Sequence, residues 1–191
     1  WSPAMDIVGN LLPHVFVDRS PPPDSPLWPR IRELATGVDD DTVTIIFPEG
    51  TFYTPERLDR AATRIAETRP DLEAKVRSLG HLPPPRPAGT HALLDGAPGA
   101  DLVLVAHAGM EAFGDLAQIR ASLPLREPVR VRLWRIDRSD VPTDDGIFAG
   151  WLLDRWVEMD AWINAELGDR TNGEASASSS QVPSGMAEFR A

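Results

Sequence analysis

The sequence predicts an α/β domain in which helices flank a mostly parallel or mixed central sheet. Short runs of β-branched and other apolar residues alternate with longer stretches whose apolar residues recur at helical spacing. The predicted order is strand, helix, strand, helices, strand, strand, helix, which is typical of an α/β sandwich. The chain has 191 residues, of which 42% are hydrophobic, and this length suffices for one domain with a sizeable core.

The first half of the chain contains two predicted strands. Residues 14–18 are predicted to form a short buried strand, which a proline-rich loop follows. Residues 42–47, Thr-Val-Thr-Ile-Ile-Phe, are continuous and β-branched, so we expect a central strand that is covered on both faces. Helices are predicted over residues 28–36, from Pro55 after an N-cap at Thr54, and from Pro70 to a stop at Gly80.

The second half is predicted to complete the sheet and to close the domain with a helix. The predicted elements are one or two helical turns over residues 88–94, strands over residues 102–106 and 129–136, and a helix over residues 148–167. Trp156 falls on the apolar stripe of that last helix, so we expect it in the core. Residues 168–191 are rich in Ser, Ala and Gly and show no apolar period, so they are predicted to be a disordered tail, which leaves residues 1–167 as the domain.

Composition excludes several classes of function. The formal net charge of −10 argues against a nucleic-acid partner, because neutralising phosphates requires a basic surface. No apolar run approaches the roughly 20 residues that a membrane-spanning helix needs. The chain has no cysteine, and the spacings of His81, His91 and His107 match no compact metal-binding motif, so no metal site is predicted.

The segment Phe-Pro-Glu-Gly-Thr at residues 47–51 lies between a predicted strand and a helix start, where α/β proteins bind ligands. The helix start offers unpaired backbone N–H groups to an anion, and Gly50 lets the backbone approach a ligand closely. Glu49 can accept hydrogen bonds from ligand hydroxyls and Thr51 can donate one, which suits a polyol phosphate. The alternative is a proline-initiated turn with a surface glutamate.

A second predicted strand end delivers a charge into a loop. The segment Phe-Val-Asp-Arg at residues 16–19 ends in Arg19, whose guanidinium can pair bidentately with a phosphate. The alternative is an ordinary salt bridge from Arg19 to Asp18 or another acid.

Together the two segments resemble the second and third conserved blocks of the glycerolphosphate acyltransferase family, which includes the lysophosphatidic acid acyltransferases. In that family a strand ending in Phe-Ile/Val-Asp-Arg precedes a strand ending in Phe-Pro-Glu-Gly-Thr. Two downstream stretches resemble the longer-chain branch of the family: His81-Leu82 with Pro85-Arg86 and Gly89, and Arg135-Ile136 with Val141-Pro142. The resemblance covers roughly residues 1–167 and implies a glycerol-3-phosphate acyltransferase-like fold.

The resemblance implies an acyltransferase of phospholipid biosynthesis. Such an enzyme transfers an acyl group from acyl-CoA or acyl-carrier protein to the hydroxyl of a lysophosphatidate-like acceptor, without a metal or another cofactor. By resemblance, Arg19 holds the acceptor's phosphate, while Glu49, Gly50 and Thr51 hold its glycerol portion and form the phosphate loop. The partners implied are the lysophospholipid acceptor and the thioester donor. We expect membrane association at the cytoplasmic face, through a segment upstream of Trp1.

The catalytic block of the family is missing from the chain. In that block a histidine takes the proton from the acceptor hydroxyl and an aspartate five positions later orients it, whereas His14 and Asp18 are only four positions apart. No catalytic residue is therefore assigned, and we expect the chain alone to be inactive.

Two further departures and two alternatives stay open. Many relatives carry an arginine directly after Glu-Gly-Thr, whereas here the next arginine is Arg57, which can reach back from the helix or remain solvated. His107 at a predicted strand end has a catalytic and a structural interpretation.

Instead of an acyltransferase, the chain can be a non-catalytic anion- or lipid-binding domain that retains the acceptor pocket. A phosphoester-processing α/β enzyme is a weaker alternative, because paired acidic metal ligands at a strand end are missing.

Overall fold

The computed structural model describes residues 26–39, 41–109 and 128–179, and the side chains of these residues as far as residue 168. These residues form helices and a small two-stranded antiparallel sheet, an α/β-like arrangement. The elements are α1 (Leu27–Ala35), α2 (Pro55–Thr68), α3 (Pro70–Arg77), α4 (Pro87–Gly96), β1 (Leu102–Ala108), β2 (Arg130–Ile136), a 3₁₀ turn (Arg138–Asp140) and α5 (Asp145–Ser179).

The chain divides into two compact units. The first comprises Trp1–Val105 and Leu133–Asp160, and its described part contains α1 to α4 and the N-terminal half of α5. The second comprises Ala106–Arg132 and Ala161–Ala191. In the second unit Arg130 on β2 pairs with Glu166 on α5. The candidate site described below lies wholly within the first unit.

The predicted helices and the two later strands are confirmed with small shifts at their ends. The last helix is longer than predicted, since α5 begins at Asp145 and runs to Ser179, beyond the expected end at residue 167. The predicted strand over residues 14–18 lies outside the described residues. The predicted boundary of the disordered tail is not tested by these elements.

The prediction of a central strand over residues 42–47 is wrong. This segment is assigned to no strand, and Val43, Ile45 and Phe47 expose 83%, 74% and 82% of their surface. A β-branched run becomes a strand only when another strand supplies its hydrogen bonds, and composition alone does not report that partner. Among the described residues a central parallel sheet is not shown.

Local sequence signals explain where α2 begins. The side-chain oxygen of Thr54 accepts a hydrogen bond from the backbone N–H of Arg57 at 3.2 Å, as an N-cap does. Pro55 occupies the first helical position, where its missing N–H costs nothing. Glu56 in the first turn adds a favourable charge at the positive end of the helix dipole. The helix that borders the candidate site is thus fixed by its own sequence.

The core of the first unit lies along α5. Phe148, Leu152, Trp156 and Met159 repeat every three or four positions and are buried, which confirms the predicted position of Trp156. Leu72 and Val76 of α3 are also buried. Within the described residues, no helix is both long and apolar enough to cross a membrane.

A buried carboxylate near the middle of α5 holds the chain that follows α3. Asp160 is only 6% exposed, and its two oxygens accept hydrogen bonds from the backbone N–H groups of Gly80, His81 and Leu82 at 2.9, 2.8 and 2.8 Å. Hydrogen bonds to an ionised acceptor are stronger than those between neutral groups, so this contact fixes the path of residues 80–82.

Replacing Asp160 with alanine is expected to lower the free energy of unfolding by about 3 kcal/mol or more, because three N–H groups lose a charged acceptor. Urea unfolding followed by circular dichroism measures this loss. The Asp160→Asn variant keeps one carbonyl oxygen, so it should lose less.

The matched control is Asp154→Ala on the same helix. It removes only an exposed ion pair with Lys75 and is expected to cost less than about 1 kcal/mol. Equal losses in the Asp154 and Asp160 variants would contradict the anchoring role of Asp160.

Candidate functional site

A cleft of about 540 Å³ lies between the loop at residues 49–51, one side of α2 and the proline-rich residues 83–87. Its volume falls within the range of cavities that bind small molecules. The predicted site residues Glu49, Gly50 and Thr51 all line it. Arg19, the fourth predicted substrate-binding residue, lies outside the described residues.

The structure joins two motifs that are far apart in the sequence. The backbone N–H of Arg86 donates to the carbonyl of Pro48 at 2.9 Å. The guanidinium carbon of Arg86 lies 3.6 Å from the position that a Cβ atom at Gly50 would occupy. The Glu-Gly-Thr loop and the stretch that contains Pro85 and Arg86 therefore form one wall, with a cation directly over the glycine.

Gly50 has the backbone conformation that its predicted role requires. Its φ of +61° lies in the left-handed region, which residues with a Cβ atom adopt only with strain. This conformation turns the chain between Glu49 and Thr51, and it leaves the backbone open to the cleft. Thr51 is exposed and lines the same cleft.

Glu49 is half-buried at the cleft, and burial raises the pKa of its carboxyl above the ordinary value, while a hydrogen bond to its own backbone lowers it to a smaller extent. No ion pair to Glu49 occurs among the described residues. A carboxylate in this setting gains from a ligand that donates hydrogen bonds to it, because those bonds replace lost hydration.

The helix start contributes less to anion binding than the sequence suggests. The N–H of Arg57 is taken by Thr54, and Glu56 bonds its own backbone N–H, which together with the Thr54 hydroxyl lowers the pKa of Glu56. The expectation that free N–H groups of this helix face the ligand is therefore wrong for these two residues. The positive charge at the cleft comes mainly from side chains instead.

Four arginines line the cleft beside one glutamate, so the lining is basic although the whole chain is acidic. Arg57 donates to the carbonyl of Phe52 at 3.1 Å, which confirms that it reaches back toward the loop. Arg60 and Arg64 follow Arg57 along the same side of α2, and Arg86 comes from the opposite wall. Sequence reasoning missed Arg60, Arg64 and Arg86 as site residues; spacing of three and four positions along a predicted helix was the available signal for the first two.

A second cleft holds His91 in a structural role. Its Nδ1 lies 2.7 Å from a carboxylate oxygen of Asp145, and its Nε2 lies 3.1 Å from the carbonyl oxygen of Thr143. The ring also packs against Phe148, with centroids 4.9 Å apart. Because both nitrogens face acceptor oxygens, His91 ties α4 to the start of α5 and offers no free nitrogen to a substrate.

The remaining histidines join no metal-binding group. Among the described residues, no three or more His, Asp or Glu side chains are placed to hold a metal ion. The backbone N–H of His81 is bound to Asp160, and His107 is exposed on β1. Neither histidine lines the arginine-rich cleft.

Replacing Gly50 with alanine is expected to lower the free energy of unfolding by about 1–2 kcal/mol, because the new Cβ atom is strained at a positive φ. Thermal or urea unfolding measures the change. In the matched control, Gly99→Ala, no atom lies within 4 Å of the added Cβ, so that variant should be neutral or slightly stabilised. Similar losses at both positions would contradict the conformational requirement at Gly50.

Glu49→Gln and Glu56→Gln are expected to change stability in opposite directions at pH 7. Burial raises the pKa of Glu49, so the charged form destabilises the fold and its replacement by glutamine stabilises it. The pKa of Glu56 is lowered by its backbone and Thr54 hydrogen bonds, so its replacement removes stability.

The difference in stability between each glutamine variant and the parent chain should vanish as the pH falls. Protonation relieves the cost at Glu49 as the pH drops through its raised pKa and then below the ordinary value. Protonation of Glu56 removes its contribution as the pH drops through its lowered pKa. Melting temperatures of both variants and the parent chain, measured between pH 7 and the acid limit of folding, test this. A destabilised Glu49→Gln variant at pH 7 would contradict the conclusion that lost hydration raises the pKa of the half-buried Glu49.

Comparisons of the chain with protein-family models, with curated proteins and with solved structures find no match. The function of the cleft is therefore inferred from its side chains and their geometry.

Proposed function

We propose that the chain acts in an acyl transfer of phospholipid biosynthesis, where it binds the glycerol phosphate portion of a lysophosphatidate-like acceptor. The acyl donor of this reaction is acyl-CoA or acyl-carrier protein, and no metal or further cofactor takes part. In this proposal Glu49, Gly50 and Thr51 hold the glycerol portion of the acceptor. Arg19 holds its phosphate, and Arg86 joins it in that role.

The observation that carries the proposal is the contact between the Glu-Gly-Thr loop and Arg86. The backbone N–H of Arg86 bonds to Pro48 and its guanidinium lies over Gly50, the residue that follows the half-buried Glu49. A glycerol phosphate carries both complementary groups, since its hydroxyl donates to a carboxylate and its phosphate pairs with arginine. A simple surface turn requires neither a half-buried carboxylate nor an arginine over its glycine.

The mechanism of the proposed reaction is attack of the acceptor hydroxyl on the thioester carbonyl. The described residues bind the acceptor: Arg86 holds the phosphate, and Glu49 orients the glycerol by accepting a hydrogen bond from it. The hydroxyl proton must pass to a general base as the C–O bond forms and the thiolate leaves. In the family that the motifs resemble, a His-x4-Asp pair is that base, and no histidine in this chain stands five positions before an aspartate.

A second candidate function follows from that departure. The chain can bind an anionic lipid without transferring an acyl group, because the acceptor cleft is formed and the base is not in this sequence. The two functions predict the same binding and differ in turnover.

The family's finer architecture and membrane attachment also belong to the proposal. A mostly parallel or mixed central sheet flanked by helices is the fold that accompanies these motifs in the family they resemble. Association with the cytoplasmic face of a membrane suits an enzyme whose acceptor is a lysophospholipid. These statements are supported by the motifs at residues 16–19 and 47–51.

The chain is expected to bind lysophosphatidate below its critical micelle concentration, as measured by isothermal titration calorimetry. Arg86→Ala and Arg19→Ala should each weaken this binding about tenfold or more, because a charged hydrogen-bonding partner of the phosphate is lost. The control Arg30→Ala removes an exposed arginine on α1 that does not line the cleft and should leave the affinity unchanged.

With acyl-CoA and lysophosphatidate together, residues 1–191 are expected to release no CoA beyond the rate without acceptor. Acceptor-dependent release would show that a base other than His-x4-Asp operates in this chain. Absence of lysophosphatidate binding, or equal effects of the Arg86 and Arg30 variants, would contradict the proposed acceptor site.

A further inference from the structure

We propose that the cleft contains a second anionic subsite, formed by Arg60 and Arg64 of α2, and that its ligand carries at least two phosphate groups. This inference rests in part on the proposed function, since the near end of the same cleft is the proposed acceptor site. It adds a ligand class that a glycerol phosphate does not explain.

The first argument is the length of the arginine row. Arg57 and Arg64 are seven positions apart on α2, which places their Cα atoms about 10 Å apart along the helix axis. Residues separated by three, four and seven positions share one side of a helix, so Arg60 lies between them on the same side. One phosphate at Arg86 and Arg57 occupies only one end of such a row.

The second argument is that no ion pair among the described residues engages the arginine row. Among the described residues, ten ion pairs engage other basic side chains, and none includes Arg57, Arg60 or Arg64. On the same helix, Asp59 is paired with Arg77 and is thus occupied elsewhere. Glu56 attracts Arg60 and Arg57 only weakly, since these charges are the smallest causes of its lowered pKa. In a chain of net charge −10, three arginines that line one cleft without an ion pair mark a local basic surface suited to a polyanion.

The third argument is that the side chains at the two ends of the arginine row make different hydrogen bonds. Arg57 donates to the carbonyl of Phe52, and Arg60 donates through Nε to the carbonyl of Glu56 at 3.1 Å, which leaves the Nη groups of Arg60 for a ligand. Arg57 is thus tied toward the loop. Arg64 lies a full turn beyond Arg60, where a second phosphate is within reach of both.

The cleft shape favours a small molecule over a protein surface. The arginines of the row are exposed, and together with residues 83–87 they line a half-open cleft of about 540 Å³. The apolar proline wall opposite the cations suits a ligand with an organic body between its phosphates. A phosphorylated nucleoside diphosphate, the chemistry of the coenzyme in an acyl-CoA donor, has both features.

The test compares ligands that carry one and several phosphates. Binding of coenzyme A, adenosine 3′,5′-bisphosphate and glycerol 3-phosphate to the whole chain is measured by isothermal titration calorimetry at fixed salt. We expect Arg64→Ala to weaken coenzyme A and the bisphosphate about tenfold and to leave glycerol 3-phosphate unchanged. Arg86→Ala should weaken glycerol 3-phosphate.

Arg30→Ala is again the control for lost charge, and circular dichroism of each variant checks that it is folded. Equal weakening of all three ligands by Arg64→Ala would overturn the inference, because the whole row would then serve one phosphate. Binding of an acidic acyl-carrier protein through Arg64, without binding of coenzyme A, would overturn it in favour of a protein partner.

The outcomes also separate this inference from the proposed function. If coenzyme A binds through Arg64 but neither glycerol 3-phosphate nor lysophosphatidate binds, the second subsite stands and the acceptor site fails. If glycerol 3-phosphate binds through Arg86 and coenzyme A does not bind, the acceptor site stands and the second subsite fails.

Discussion

The carboxylate of Asp160 is the contact on which the candidate site depends. It holds the N–H groups of Gly80, His81 and Leu82, and three prolines that have no N–H follow directly. The next backbone N–H, that of Arg86, bonds to Pro48. A stiff segment without donors of its own is therefore fixed at both ends by hydrogen bonds. This arrangement fixes the proline wall of the cleft against the loop that carries Glu49, Gly50 and Thr51.

Charge is distributed so that the cleft differs from the rest of the chain. Several exposed basic side chains elsewhere are paired: Arg135 donates through Nε and Nη2 to one oxygen of Asp101, and Arg77 pairs with both Glu73 and Asp59. Those pairs lower the pKa of Asp101 and raise the pKa values of the arginines, through hydrogen bonds that favour the charged forms. Among the described residues, Arg57, Arg60 and Arg64 of the cleft belong to no ion pair, so no salt bridge cancels the positive field that they produce there.

Structural features that depend on interactions between nearby residues could be predicted from the sequence, and those that depend on distant residues could not. The start of α2 could be predicted because Thr54 and Pro55 act within four residues of each other. Whether residues 42–47 form a strand could not be predicted, since a strand needs a neighbouring strand that the sequence pattern does not identify. Likewise Glu49 and Gly50 could be predicted from their motif, whereas the approach of Arg86 to Gly50 depends on the distant anchor at Asp160.

The surface-turn alternative for the Glu-Gly-Thr loop explains the loop and leaves its surroundings unexplained. A turn accounts for the positive φ of Gly50. It does not account for a half-buried Glu49 whose pKa is raised by lost hydration, which a surface glutamate avoids by pointing into water. Nor does it account for the guanidinium carbon of Arg86 lying 3.6 Å from the position that a Cβ atom at Gly50 would occupy. A ligand hydroxyl that donates a hydrogen bond to Glu49 would replace this lost hydration, so binding would offset a cost that the unliganded carboxylate carries.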